Sequence, residues 1–247
     1  MACCKKKARD IGIASIMLII FMSLSYYAYA VPVGPTITEI KNETGSIRGS
    51  TLINTTGGSI TTIELDVTAQ NLKWKAFVGN VTGSLVLSDA SNYSIYDWSL
   101  STVVGEVYAT RASSTILWSN IQCSNLTHIA NEEIALNHTS NPDDNISSTF
   151  SVKDHNPFYI GTVEITSNSC YSIHTNVNNQ SQSSKFEEII LYDGTDHQNG
   201  NIVYATNLEQ DAAGYNTNQF DFQMIVPEVG LATWESSTAY YFYVELT

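Results

Sequence analysis

Beyond Pro35 the chain is a succession of short β-branched and aromatic runs separated by clusters of Gly, Asn, Ser and Asp, which is the pattern of strands and turns. Its clearest alternation lies in residues 62–67, where Ile63, Leu65 and Val67 fall on one face and Thr62, Glu64 and Asp66 on the other. A period of two predicts a strand with one face buried. Runs at 72–78, 84–87, 93–98, 105–110, 115–118, 158–165, 187–192, 201–206, 219–226 and 240–246 predict further strands. About a dozen short strands predict an all-β fold, an antiparallel β-sandwich. Only Leu126–Leu136 has helical spacing, with Ile129, Glu133 and Leu136 one or two turns apart, so one short helix is expected.

Aromatic residues sharpen this picture. Tyr240, Tyr241, Phe242 and Tyr243 put rings on both faces of the final strand, which needs cover on both, from within the fold or from a neighbouring subunit. If that strand or residues 31–41 lie on an open sheet edge, a second copy can add a strand there. Trp74, Phe77, Tyr96 and Trp98 read first as packing residues. The rival reading is a stacking platform for sugar rings, which the exposure of Trp74 and Trp98 decides. No repeat is visible, and the polar stretch Asn137–Ser148 is the best internal boundary, although we expect one continuous domain over 31–247.

Residues 1–30 have the layout of a secretory signal: Lys5, Lys6, Lys7 and Arg9, an apolar run from Ile11 to Leu24, then Ala28-Tyr29-Ala30. Cleavage after Ala30 is expected, because Pro32, Gly34 and Pro35 break a helix and leave the peptide extended. Two rival readings are a retained membrane anchor and a pilin-type helix that Pro32 stops early.

Composition fits an exported protein. Hydrophobic residues make up 43% of the 247 and charged residues only 14%, so a core can form while Ser, Thr and Asn cover the surface. The net charge is −13; removing residues 1–30 takes away four basic residues and Asp10, leaving 7 basic against 23 acidic side chains. That balance excludes nucleic acid as a partner, because nothing would neutralise its phosphates, and it favours divalent cations. Membrane contact is expected only through the N-terminal segment, if it is retained. Cys3 and Cys4 leave with the signal, so Cys123 and Cys170 are expected to form one disulfide. His128 and His174 lie close to them, which makes a Cys2His2 zinc site the rival, with a spacing that matches no finger.

Eight N-x-S/T sequons, at Asn42, Asn54, Asn80, Asn92, Asn125, Asn137, Asn145 and Asn179, are candidate glycosylation sites, against the plainer reading of polar turns. Asp193 and Asp196, with Asp211 beyond the next strand, offer hard oxygen ligands to calcium, and no other cofactor is expected; the plainer reading is a polar glycine hairpin. Nucleophile elbow, H-E-x-x-H and phosphate-cradling loop are all missing. Paired acids at Glu132-Glu133, Asp143-Asp144 and Glu187-Glu188 are neighbours in sequence, not opposed across a cleft as glycoside hydrolysis requires. We therefore expect no enzyme. A hydrolase would show two buried acids with perturbed pKa values facing one cleft.

The segment Trp74–Gly83, followed by Leu85–Ala90 and Ile95–Trp98, resembles a recurrent pattern in secreted surface glycoproteins of uncharacterised archaea. So do Gly105–Arg111, Leu191–Gly194, Asp221–Glu228 and Tyr240–Val244, which extends the likeness over nearly all of 31–247. The resemblance implies an extracellular compartment and supplies no catalytic residues. It supports the expectation of a cell-surface structural glycoprotein, such as a coat, adhesin or filament component, that associates with itself or other surface proteins. A glycan-binding module is the alternative, and a secreted hydrolase comes third.

Overall fold

The structure is a computed structural model that describes residues 31–45, 49–140, 142–194, 200–229 and 237–247. The expected signal segment, 1–30, lies outside these residues. A six-stranded antiparallel sheet forms the centre. In spatial order it runs β14 (Tyr241–Leu246), β4 (Gly105–Thr110), β10 (Ile202–Asn207) and β9 (Glu187–Tyr192); β5 (Gln122–Cys123) and β8 (Ser172–His174) share the far edge of β9. All of β4 and β9 and five residues of β10 are buried, so the sheet is covered on both faces.

Two hydrophobic clusters mark those faces. Val107, Ala109, Ile190, Tyr204 and Val244 pack with Ile129, Phe150, Met224 and Val226 on one side. Tyr108, Ile189, Leu191, Val203 and Ala205 pack with Ile116, Phe158, Ile160 and Ile165 on the other. The first cover is the ribbon of β1 (Trp74–Gly79) and β13 (Phe222–Pro227) with α1 (Leu126–Ala135) and α2 (Ile146–Thr149). The second is the hairpin of β6 (Phe158–Ile160) and β7 (Val163–Ile165) with the loop 112–121. Outside these layers lie the ribbons of β2 (Ser84–Ser88) with β3 (Ser94–Ser99), and β11 (Ala212–Ala213) with β12 (Gln219–Phe220). The fold is all-β, with antiparallel sheets layered as a sandwich and, among the described residues, one helix longer than two turns.

Strands covered on both faces usually read as unbroken apolar runs. Here they carry acids and threonines, which tie the covers to the sheet. Glu188 Oε2 accepts from the Ile225 amide at 2.8 Å, and Thr206 Oγ1 donates to the Gln223 carbonyl at 3.2 Å. On the other face Glu187 accepts from the Asn156 amide at 2.8 Å, and Glu245 Oε1 from the Gly161 amide at 2.8 Å. Each bond satisfies a covering-layer backbone group that an apolar side chain would strand. Gly105, at φ 141°, lies so near β14 that a Cβ would come within 1.9 Å of the Glu245 carbonyl oxygen; only glycine fits.

Local chemistry explains where elements start and where expectations fail. Asn125 Oδ1 accepts from the His128 amide at 2.9 Å and His128 Nδ1 from the Asn125 amide at 3.3 Å, a reciprocal cap that starts α1 where expected. The expected strand at 115–118 is absent, because the Leu117 amide donates to Asp193 Oδ2 and a 3-10 turn begins at Trp118. The run 158–165 bends back at Gly161 (φ 56°) into the β6–β7 hairpin. The run 219–226 breaks at Asp221, whose carboxylate accepts from the amides of Val81 and Asp211 at 2.8 and 2.9 Å. Residues 62–67 pair with nothing and form no strand among the described residues. The stretch 137–148 is no boundary: His138 and Ile146 are buried, and Trp74 Nε1 donates to the Asp144 carbonyl at 2.8 Å.

Candidate functional site

Cys123 and Cys170 are joined in a disulfide spanning 47 residues. Cys123 ends β5 and Cys170 lies two residues before β8, so the bond fastens the two short strands on the β9 edge to each other; it reaches α1 only through the lead-in at β5. Oxidised thiols are closed to zinc. His128 instead stacks on Tyr192 at 3.6 Å, and His174 lies 3.9 Å from Glu187. Asn42, Asn54, Asn80, Asn92, Asn137 and Asn179 are exposed, whereas Asn125 and Asn145 are half-buried helix caps. Asn92, Asn137 and Asn179 have φ of 64°, 56° and 60°, the left-handed conformation that asparagine tolerates at a turn apex.

The expected calcium ligands do not come together. Asp196 lies outside the described residues, and Asp193 and Asp211 flank opposite ends of β10, a strand that spans about 20 Å. Asp193 is buried and spent on the β9–β10 connection, accepting from the Asn201 amide at 2.5 Å and from the Leu117 amide at 3.2 Å. Among the described residues no group of three His, Cys, Asp or Glu side chains is placed to hold a metal ion.

What the structure does assemble is an exposed strand surface. Every residue of β2 and β3 is exposed. Their register sets Leu85 opposite Trp98 and Leu87 opposite Tyr96, so one face of this ribbon is an open apolar row. The Tyr96 and Trp98 rings meet edge to face at 4.7 Å, and Trp98 is 48% exposed; Trp74, in contrast, packs against His138 and Phe150. Between Val33 and β1 the described residues form no helix or strand, yet they expose Ile40, Leu52, Ile60, Leu65 and Val67, with Ile60 at 100%. This long arm turns at Gly58, where Ser59 Oγ donates to the Thr56 carbonyl at 2.6 Å, and its limbs approach each other at Gly45 and Gln70. The final strand is different. Its rings are covered from within: Phe242 meets Phe77 at 4.9 Å, Tyr243 meets Trp118 at 5.2 Å and the Tyr240 hydroxyl donates to the Pro227 carbonyl at 2.7 Å. Only Tyr241 stays largely exposed, and the outer edge of β14 is bridged at Val33, whose amide and carbonyl bond Val244 at 2.9 and 2.8 Å.

Two further groupings carry charge. A cavity of about 280 Å³ is lined by Thr110, Arg111, His128, Glu132, Tyr192 and Asn201 among others. Its arginine is committed, with Arg111 forked onto Glu132 at 2.7 and 2.6 Å. Glu106 and Glu245 face each other on β4 and β14, both buried. Burial, with the Glu245 charge beside it, pushes Glu106 up to about 8, and burial raises Glu245 as well. This pair lines neither that cavity nor the one beside Cys123 and Tyr171. Sequence reading missed the pair because 139 positions separate the two acids and only strand pairing joins them.

No helix of the described residues is long and apolar enough to cross a membrane. The disulfide is compatible with an oxidising, extracellular compartment. Comparison with protein-family models, with curated proteins and with solved structures finds no match.

Proposed function

We propose that this is an exported structural protein of the cell surface whose copies join by β-strand addition, with residues 62–67 of one copy as the added strand and the open edge of β2 in another as the receiver. The observation that carries this reading is the arm: an alternating segment whose Leu65 and Val67 are about four-fifths exposed and whose backbone, among the described residues, is unpaired, together with a ribbon that among the same residues has two open edges. A lone two-stranded ribbon wet on both faces is marginal in water, and a third strand with matching alternation stabilises it. Ile63, Leu65 and Val67 would extend the apolar row of Leu85 and Leu87. Addition at β2 sets Glu64 and Asp66 beside the Ser84–Val86–Ser88 face, whereas addition at β3 would set them against Asp97. The arm is long enough to reach a neighbour, at about 3.3 Å per extended residue.

The test is sedimentation and negative-stain microscopy of purified protein in rising salt, for wild type and for Leu65→Lys/Val67→Lys. Wild type should assemble and the double variant should stay monomeric with unchanged melting. A wild type that never assembles, or a double variant that assembles equally well, removes the proposal. A second reading, glycan binding, rests on the exposed Tyr96–Trp98 pair, whose rings offer apolar faces to sugar C–H groups. Quenching of Trp98 fluorescence by a defined polysaccharide, lost in Trp98→Ala, would favour it. Glycan on the six exposed sequons belongs to the same surface role and is read directly by glycopeptide mass spectrometry.

A further inference from the structure

Three strands bring oxygen-bearing side chains into one row near the end of the central sheet. Asn207 on β10 stands opposite Glu106 on β4, and Glu106 stands opposite Glu245 on β14. Opposite residues on antiparallel strands share a face, with Cβ atoms about 5 Å apart. Tyr108 lies two residues along β4 on that face; its hydroxyl donates to Glu245 Oε2 at 3.1 Å and also reaches the Glu106 carboxyl. From the covering hairpin the Gly161 amide donates to Glu245 Oε1 at 2.8 Å. Glu106 is 7% exposed and Glu245 1%.

The donors run out before the acceptors do. Glu106 Oε2 and Asn207 Oδ1 are buried with no hydrogen-bond partner. Among the described residues no lysine, arginine or histidine pairs with either carboxyl. Buried acceptors without donors, one of them on a carboxyl group that stands beside a second carboxyl, are costly unless a positive group satisfies them.

We propose that this row is a binding site for a hard divalent cation of the calcium class, held by the Glu106 and Glu245 carboxylates, Asn207 Oδ1 and the Tyr108 hydroxyl oxygen. Two carboxylates match a double positive charge, and a ligand set made only of oxygen selects calcium over zinc or copper. Lone pairs on Glu245 and Tyr108 beyond those in their hydrogen bonds remain open to the ion. The cation ties β10, β4 and β14 together, and with β14 the strand that anchors Val33 at the root of the arm. It is independent of whether copies join through that arm.

The experiment is thermal unfolding of purified protein stripped with EDTA and titrated with calcium chloride at constant ionic strength. Calcium a hundredfold above its Kd should raise Tm by roughly 5–10 °C. Glu106→Gln should abolish that rise while melting at least as high as wild type in EDTA, because its amide can donate to Asn207 Oδ1. Tyr108→Phe, which deletes one oxygen and keeps the packing, should shift the titration to about tenfold higher calcium. No calcium effect on wild type, as when a shared proton alone satisfies the pair, overturns the proposal. So does an equal rise in Glu106→Gln, which would locate calcium on the general acidic surface.

Discussion

Glu188 sits buried on β9 with Oε2 bonded to the Ile225 amide and Oε1 without a partner. Burial holds its carboxyl well above the ordinary range, against the smaller opposing pull of the Ile225 amide. The folded chain therefore retains a proton that the unfolded chain gives up near pH 4.5. This share of stability is full below pH 4.5 and is lost as pH rises toward the raised folded value. Melting temperature should fall from pH 5 to pH 9 in wild type and fall less in Glu188→Gln, which imitates the protonated acid; equal slopes would refute the assignment. At the acidic end the sign reverses. Burial works against the Glu228 carboxylate, but bonds from Lys75 and Thr238 outweigh it and hold Glu228 below its usual value, so its share is lost as the solution becomes more acid.

At the scale of elements, β5 and β8 have two and three residues, too few to hold an edge by ladder bonds alone, and the disulfide joins them. Closing a 47-residue loop contributes about 4 kcal/mol in the chain-entropy view. Cys123→Ser/Cys170→Ser, or reduction, should therefore lower Tm by roughly 10 °C, seen by circular dichroism. Tyr241 and Tyr243, two residues apart on β14, should behave unlike each other. Tyr243→Lys puts a charge against the half-buried Trp118 at the margin of the core and should cost roughly 1–3 kcal/mol, whereas Tyr241→Lys, on an exposed position, should cost under about 0.5 kcal/mol. Urea titration distinguishes them. The helix was legible in the sequence because its cap and its apolar spacing are local. The arm was misread because alternation reports that a segment has an apolar face and says nothing about whether a partner strand is present.

At the scale of the molecule, like charges oppose any joining of copies. With a net charge of −13, or −16 without residues 1–30, chains repel beyond contact distance at low ionic strength, and salt shortens that reach to about 8 Å at 0.15 M. Assembly followed by light scattering should thus be weak at 10 mM salt and strong at 150 mM and above. A protein that assembles best at the lowest salt would contradict strand addition between acidic copies. Folding should be slow for the same architecture, since β1 pairs with β13 and β4 with both β10 and β14 across most of the chain.

Residue types and their local order determined the all-β class, one helix at its correct place, most of the strands and the two cysteines available for a bridge. Each of these depends on contacts within a few positions, where period, capping and turn residues act directly. Tertiary structure alone decided the rest. It placed β4, β9 and β10 at the centre with their acids serving as ties between layers, a use invisible in strands that read as half-polar. It covered the aromatic final strand from within and left the arm and the β2–β3 ribbon uncovered. It set Glu106, Glu245 and Asn207 in one row and held Asp193 and Asp211 apart. Those outcomes follow from which strands pair, and the pairings of β4 with β14 and of β1 with β13 join residues more than a hundred positions apart through backbone bonds that most side chains permit.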